Sequence, residues 1–343
     1  ENSTNGQVGR INIDLLRIVS VEALEQVESL DAYPVDSFVV YDNGIGLNDS
    51  NFTSFMEFDS EKKAEIGGKG VGRLVCLKAF RELHVESVYR NYEKELKIRR
   101  FKYKRTKTGF EDYEENIETN ISATQTRVEL KGLEEVYRKS IPTGMKEIAR
   151  QILIHFQLYF IQKIEPIIIL SDQKGQKINL TTLFEHIFSK EILSENFMLD
   201  DQQFSVFISK SYKARSHRIH YSAHHRSVKD EGLSNYIEDL KNKVKDSKYP
   251  EGYFFQVFIV GDYLDKNVNE ARTGFNFSAD ENEGELSLYE ITLTKIRRET
   301  INVIEYLLEQ FLSRIRKEKL DKYYPIIEEE FPNYHSVINY NNE

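Results

Sequence analysis

The stretch Phe38-Val39-Val40-Tyr41-Asp42-Asn43-Gly44-Ile45-Gly46, followed by Gly67-Gly68-Lys69-Gly70-Val71-Gly72, decides how this chain is read. The apolar run 38–41 reads as a buried strand, and residues 42–46 close it with a turn. The second glycine segment opens an apolar stretch, 74–80, in which Leu74, Leu77 and Lys78 recur at helical spacing. A carboxylate at a strand end accepts a hydrogen bond from an amino group such as that of adenine. Glycines at a helix N-terminus let bare backbone N–H groups approach phosphate oxygens, and the helix dipole favours the negative charge. One segment suits a base and the other its phosphates. Residues 48–66, polar around Phe52, Phe55 and Phe58, lie between them as a lid with an aromatic docking face. Together they describe a nucleotide site.

The two segments resemble the glycine motifs of the GHKL ATPases, the family of gyrase B, Hsp90, the histidine kinases and MutL. Those motifs read D-x-G-x-G and G-x-x-G-x-G. Here Asp42, Gly44 and Gly46 fill the first, while Gly67, Gly70 and Gly72 fill the second. Either alone more often marks a plain turn; the ordered pair carries the resemblance. It implies that Asp42 meets adenine and that Gly44, Gly46, Gly67, Gly68, Lys69, Gly70, Val71 and Gly72 line the nucleotide, with the Lys69 ammonium as a further contact. The strand Thr126-Arg127-Val128-Glu129-Leu130 resembles the family's later G-T-x-V-x-L segment and brings Thr126 to the adenine, although Gln125 replaces the glycine. ATP and Mg²⁺ are the ligands implied. Competing phosphate loops fail, since the chain has no G-x-x-x-x-G-K-[ST] and Gly70-Val71-Gly72 lacks the third glycine of a dinucleotide fingerprint.

The family's third motif is an E-x-x-x-N helix upstream of the first strand, whose Glu activates water and whose Asn binds Mg²⁺. The chain opens on Glu1 rather than Met, as expected of a piece of something longer. Asn2 can end such a motif, but residues 1–9 read better as a polar loop. The general-base Glu and the metal-binding Asn are thus expected upstream of residue 1.

At 343 residues the chain is long enough for about two separate cores. Charged residues make up 30% and hydrophobic ones 40%, which is ordinary for a soluble globular protein. No apolar run approaches the ~20 residues of a membrane span, and no signal peptide is visible. One cysteine, Cys76, excludes an internal disulfide and points to a reducing, cytoplasmic setting. The net charge of −9 gives no global case for nucleic-acid binding, so any such contact needs a local patch.

Strands are expected at 10–19, 36–42, 84–89, 96–104, 126–130 and 166–170, with a short helical or irregular piece at 21–30. A helix follows Pro142, with Ile148, Ile152, His155, Phe156, Tyr159 and Phe160 at helical spacing. From about residue 195 a second unit reads β-β-α-β, with strands 204–209 and 217–223, a helix 232–245 and a strand 253–260. One long helix is expected over 285–319, with helical character continuing to 331. In this unit Leu264-Asp265-Lys266-Asn267-Val268-Asn269-Glu270-Ala271-Arg272 resembles the D-V-N-V-H-P-A-K loop of MutL's second domain, with Arg272 in the lysine's place. Arg226-Ser227-Val228-Lys229-Asp230, read as preceding a helix, resembles the N-G-R-x-x-x-D segment of the same domain. Asn269 and Arg272 also fit the N-x-x-R sequence of Hsp90. The resemblance implies an S5-like transducer whose Arg272 contacts the γ-phosphate; the alternative is a surface arginine paired with Glu270 or Asp265.

Two further signals have plain readings. His217, His220, His224 and His225 lack the spacing of a zinc site and read as a solvated or partner-facing strand. Residues 94–107 hold eight basic side chains, Lys94 and Lys107 among them, interleaved with Phe101 and Tyr103. They read either as a nucleic-acid contact or, preferably, as a hairpin strand pairing with Glu111, Asp112, Glu114 and Glu115.

The expected architecture is α/β: a GHKL ATP-binding sandwich over 1–185, a transducer over 195–285 and a helical arm over 286–343. The function implied is a Mg²⁺-dependent ATPase acting as a conformational switch, closing a homodimer clamp within a larger machine. A histidine kinase fits less well, since it does not call for a transducer. A non-hydrolysing nucleotide sensor and a chaperone-like clamp stay open, as do DNA-directed, antiphage and protein-client roles.

Overall fold

In the computed structural model, residues 8–56, 72–106, 109–117, 120–162, 166–187, 191–247, 249–269, 273–278 and 291–330 are described. The apolar run at 38–41 lies in strand β2 (Val35–Asp42), where Val35, Ser37 and Val39 alternate into the core. It follows β1 (Arg10–Arg17) and a short helix α1 (Val21–Gln26). The Ser20 hydroxyl caps α1, accepting from the Ala23 N–H at 3.1 Å. After β2 come α2 (Asp49–Met56), α3 (Gly72–Ala79), β3 (Phe80–Arg90), β4 (Leu96–Lys104), β5 (Phe110–Ile117) and β6 (Gln125–Leu133). Then follow α4 (Glu135–Arg138), α5 (Met145–His155), α6 (Gln157–Ile161), β7 (Ile167–Asp172), β8 (Lys177–Asn179) and α7 (Leu180–Ile187).

These strands form one eight-stranded sheet in the order β5-β4-β3-β6-β2-β1-β7-β8. Every pairing is antiparallel except β1 with β7. The core holds Leu15, Leu83, Val85, Leu133, Leu170 and the helix residues Met145, Ile148, Ala149, Leu153 and Leu158. The helical stripe differs from the expected one. Leu153, not Ile152, faces inward, and His155 and Phe156 are exposed because α5 ends at Phe156 (φ −102°, ψ 23°) before α6 begins.

The chain divides into two compact units, Glu1–Lys190 and Glu191–Glu343. The second unit contains β9 (Leu193–Leu199), β10 (Gln202–Ser211), β11 (Arg218–Ala223), β12 (Arg226–Gly232) and β13 (Phe254–Val260), ordered β12-β11-β13-β10-β9. Strands β11 and β13 run parallel. Helices α8 (Asp262–Asn267), α9 (Leu293–Leu307) and α10 (Glu309–Glu330) complete it. Its core is Phe204, Val206, Ile208, Ile219, Tyr221, Val257 and Ile259, together with Ile296, Ile304 and Leu312 of the helices.

Two helices expected here are not as the sequence pattern implied. Residues 232–245 form no α-helix. Leu233, Ile237, Leu240 and Val244 are all buried, but two 3₁₀ turns (Leu233–Asn235 and Glu238–Leu240) and a bridge from Val244 to Tyr253 deliver them. The long C-terminal helix is broken at buried Leu308 (φ −103°, ψ 8°), and its expected start at 285–290 lies outside the described residues. Strands β9 and β12 had no expectation at all.

Candidate functional site

Asp42 is the last residue of β2, and the register of the sheet gives it a continuous row of neighbours. Across successive strands the directly opposed residues are Ile168, Ile11, Asp42, Thr126, Ser87, Arg99 and Glu115. Directly opposed residues share a sheet face. The row therefore begins apolar, becomes polar at Asp42 and stays polar to the edge strand. Thr126 and Ser87 are buried, and their hydroxyl oxygens lie 3.1 Å apart.

The glycine turn folds over this row. The Gly44 N–H donates to Asp42 Oδ1 at 2.9 Å, fixing the carboxylate at the turn's entrance. Asn43 ties the turn to the start of β1, accepting from the Arg10 N–H at 2.7 Å and donating to the Val8 carbonyl at 2.9 Å. Gly46 has φ +76°, and a Cβ there would stand 2.4 Å from the Val88 carbonyl oxygen. Both the dihedral and the space require glycine. Leu47 is then held from both sides: its N–H donates to Ser87 Oγ at 2.8 Å, and its carbonyl accepts from Arg99 Nη1 at 2.8 Å.

Arg99 joins the turn to the start of α2. Its Nη2 lies 2.8 Å from Asp49 Oδ1, 2.9 Å from Glu115 Oε2 and 2.9 Å from the Tyr89 hydroxyl. The guanidinium also sits over the Phe52 ring, 4.2 Å from its centroid. Glu115, hydrogen-bonded by the Tyr113 hydroxyl and by Arg99 and Lys97, titrates at about 2. Helix α2 is seated by the same neighbourhood. Asn48 Oδ1 accepts from the Asn51 N–H at 2.9 Å, and Asn51 Nδ2 donates to the Gly46 carbonyl at 2.9 Å. Phe52 and Phe55 pack on Phe101, Tyr103, Phe110 and Tyr113. The aromatic docking face anticipated for residues 48–66 is therefore real for Phe52 and Phe55, while Phe58 lies outside the described residues.

Gly72 is the first residue of α3, so the second glycine motif runs into a helix. Gly67, Gly68, Lys69, Gly70 and Val71 lie outside the described residues, as does Arg272. Around Arg272 the chain is closed by a bridge between Val268 and Phe275, by the Asn269 N–H donating to the Gly274 carbonyl at 3.0 Å, and by the Asn276 N–H donating to the Asn267 carbonyl at 2.7 Å. The start of that loop is helical, since residues 262–267 form α8. Cys76 is half-buried in α3, and burial raises its thiol pKa.

The basic strand β4 pairs with acidic β5, with Arg99 opposite Glu115 and Arg100 opposite Glu114, and, after a register shift, Lys102 opposite Glu111. Lys97 reaches Glu115, Arg100 reaches Glu86, Lys102 reaches Asp112, and Lys104 reaches both Glu82 and Glu111. These cations are matched within their own sheet. The histidines are not a solvated strand, which corrects the expectation. His217 is buried, with Nδ1 accepting from the Phe255 N–H at 2.9 Å and Nε2 donating to the Asn242 carbonyl at 2.9 Å. His220 stacks on Phe258 and bonds Ser227 and Gln256. His224 and His225 form the β11–β12 turn, both with positive φ. Among the described residues no group of three or more His, Cys, Asp or Glu side chains is placed to hold a metal ion, and no helix is long and apolar enough to cross a membrane.

Ser87 and Arg99 escaped the sequence reading. Ser87 sits in a strand of mixed apolar and polar residues with no motif around it, and Arg99 is one of eight basic residues in a run. Only the register singles them out.

No protein-family description matches the chain, and no curated protein matches it. Solved structures similar to the chain include the ATPase region of Saccharomyces cerevisiae topoisomerase II, at 16% identity over 89% of this chain and 80% of that one, with a TM-score of 0.45. The 43K ATPase domain of Thermus thermophilus gyrase B, solved with an aminocoumarin, is 14% identical over 74% and 70% respectively, with a TM-score of 0.37. The Aquifex aeolicus MutL ATPase domain, solved with ADP, is 11% identical over 75% and 86%, with a TM-score of 0.36.

Proposed function

We propose that the chain binds ATP and hydrolyses it, with Mg²⁺, to drive a conformational switch. The observation that carries the reading is the placement of Asp42 beside Thr126 beneath a turn that only Gly46 can make. A carboxylate acceptor and a hydroxyl stand side by side at the mouth of a close-packed turn, which suits the amino edge of adenine. The sequence motif assigns the phosphates to Gly67, Gly68, Lys69, Gly70, Val71 and Gly72, the last at the head of α3. In this reading residues 1–185 form the ATP-binding domain, 195–285 the transducer and 286–343 a helical arm. ATP orders the lid, Arg272 engages the γ-phosphate, and the closed state is a homodimer clamp in a cytoplasmic machine. No nucleic-acid contact is assigned to residues 94–107, because the β4 cations already face carboxylates.

The test is nucleotide binding by calorimetry with Asp42→Asn. The amide can present a donor where the carboxylate only accepts, so the variant is expected to lose ATP affinity while keeping its fold. Near-normal affinity in the variant would sink the assignment.

A further inference from the structure

We propose that Ser87 is a positioning residue that sets the direction of the Thr126 hydroxyl, and through it the preference of this site for adenine over a 6-oxopurine. The inference rests on the ATP-binding reading above. Ser87 is fully buried, and its Oγ has three neighbours: the Leu47 N–H at 2.8 Å, the Thr126 hydroxyl at 3.1 Å and the Gln125 carbonyl at 3.4 Å.

The hydrogen count orders these contacts. A backbone N–H only donates, so Ser87 Oγ accepts from Leu47. A hydroxyl has one hydrogen, and the nearer acceptor is Thr126 Oγ1, the Gln125 carbonyl lying at the long limit of a hydrogen bond. We assign the Ser87 hydrogen to Thr126, the nearer of its two acceptors. With that lone pair occupied, the Thr126 hydrogen is free to point along the row toward the Asp42 side, where the cross-strand register puts the next strand. The polarity runs from the Leu47 N–H through the Ser87 O–H to the Thr126 O–H, a chain in which each donor strengthens the next.

The result is an acceptor, Asp42, beside a donor, Thr126. Adenine presents the complement on its Watson–Crick edge, an amino donor at N6 and an acceptor at N1. Hypoxanthine and guanine present the reverse, an acceptor at O6 and a donor at N1. A site with fixed polarity rejects the reversed pattern because its own groups are left unpaired. Without Ser87, the Thr126 hydroxyl is free to rotate and to accept instead.

The experiment measures binding of ADP and of inosine diphosphate by calorimetry to wild type, Ser87→Ala, Thr126→Val, the double variant and Ser87→Thr. Wild type is expected to prefer ADP. Ser87→Ala should lower ADP affinity about tenfold, the worth of one hydrogen bond, while inosine diphosphate loses much less. The double variant should be no weaker than Thr126→Val alone, because Ser87 acts through Thr126. Ser87→Thr, which keeps the hydroxyl, should restore the preference. Equal loss for both nucleotides in Ser87→Ala, or fully additive losses in the double variant, would overturn the proposal and leave Ser87 as a prop for the turn. A wild-type protein that binds neither nucleotide would overturn the ATP reading itself, and it is recognised without any variant.

Discussion

Gly46 carries two independent demands, a left-handed backbone at φ +76° and a Cβ position 2.4 Å from the Val88 carbonyl oxygen. Relief needs either β3 or the turn to move, and both are tied to the same row through Leu47, Ser87 and Arg99. Gly46→Ala is therefore expected to cost about 2–4 kcal/mol of stability, read from denaturant unfolding, and to abolish nucleotide binding. An alanine variant with wild-type stability would show that the turn is softer than its packing implies. This residue was legible in the sequence because its signal is local: a glycine two positions after another, four after an aspartate, at the end of an apolar run. Ser87 was not. Its meaning depends on lying opposite Thr126, and a strand's register is set by partners far along the chain.

At the scale of elements, α2 is held by one buried cation and an aromatic cluster. Replacing Arg99 with methionine removes the bonds to Leu47, Asp49 and Glu115 at once, while the two carboxylates, partly exposed, can rehydrate. The expected loss is about 1–3 kcal/mol, with faster amide exchange confined to α2 and the turn before it. Loss spread evenly over the sheet would contradict this anchoring role. In the second unit, burial depresses the pKa of both His217 and His220. A depressed folded pKa means the unfolded chain takes up protons first. Stability is then full above the unfolded value of about 6.5 and falls as pH drops below it toward the folded values. Thermal melts of this unit between pH 8 and 5 should show that decline, and His217→Ala should flatten it while lowering stability at pH 8. A melt that does not change with pH would contradict the buried neutral imidazoles. Helix and strand identities here were less legible than burial. The 232–245 segment has apolar residues spaced as on one helix face, and they do reach the core, but 3₁₀ turns deliver them. Periodicity reports which residues go inside more securely than which hydrogen bonds carry them there.

At the scale of the whole molecule, the proposed switch makes Arg272 the residue that distinguishes ATP from ADP. A charge-assisted contact of that kind is worth about 1.5–3 kcal/mol. Arg272→Ala should leave ADP affinity nearly unchanged, slow turnover and weaken ATP-dependent closure, read by small-angle scattering with a non-hydrolysable analogue. A variant that compacts as fully as wild type would make Arg272 a surface ion-pair partner. Length and the motif change near residue 195 suggested more than one core, and the contents of the second unit depended on pairings such as the parallel β11–β13 ladder that no local pattern announces. The clamp on Leu47 has one more consequence. Its amide hydrogen is bonded to a buried side-chain hydroxyl rather than to a ladder partner, so it exchanges with solvent only when the turn lifts off Ser87. That single amide is thus a built-in clock for opening of the glycine turn over the proposed base site, readable in the intact protein without a label, a ligand or a mutation.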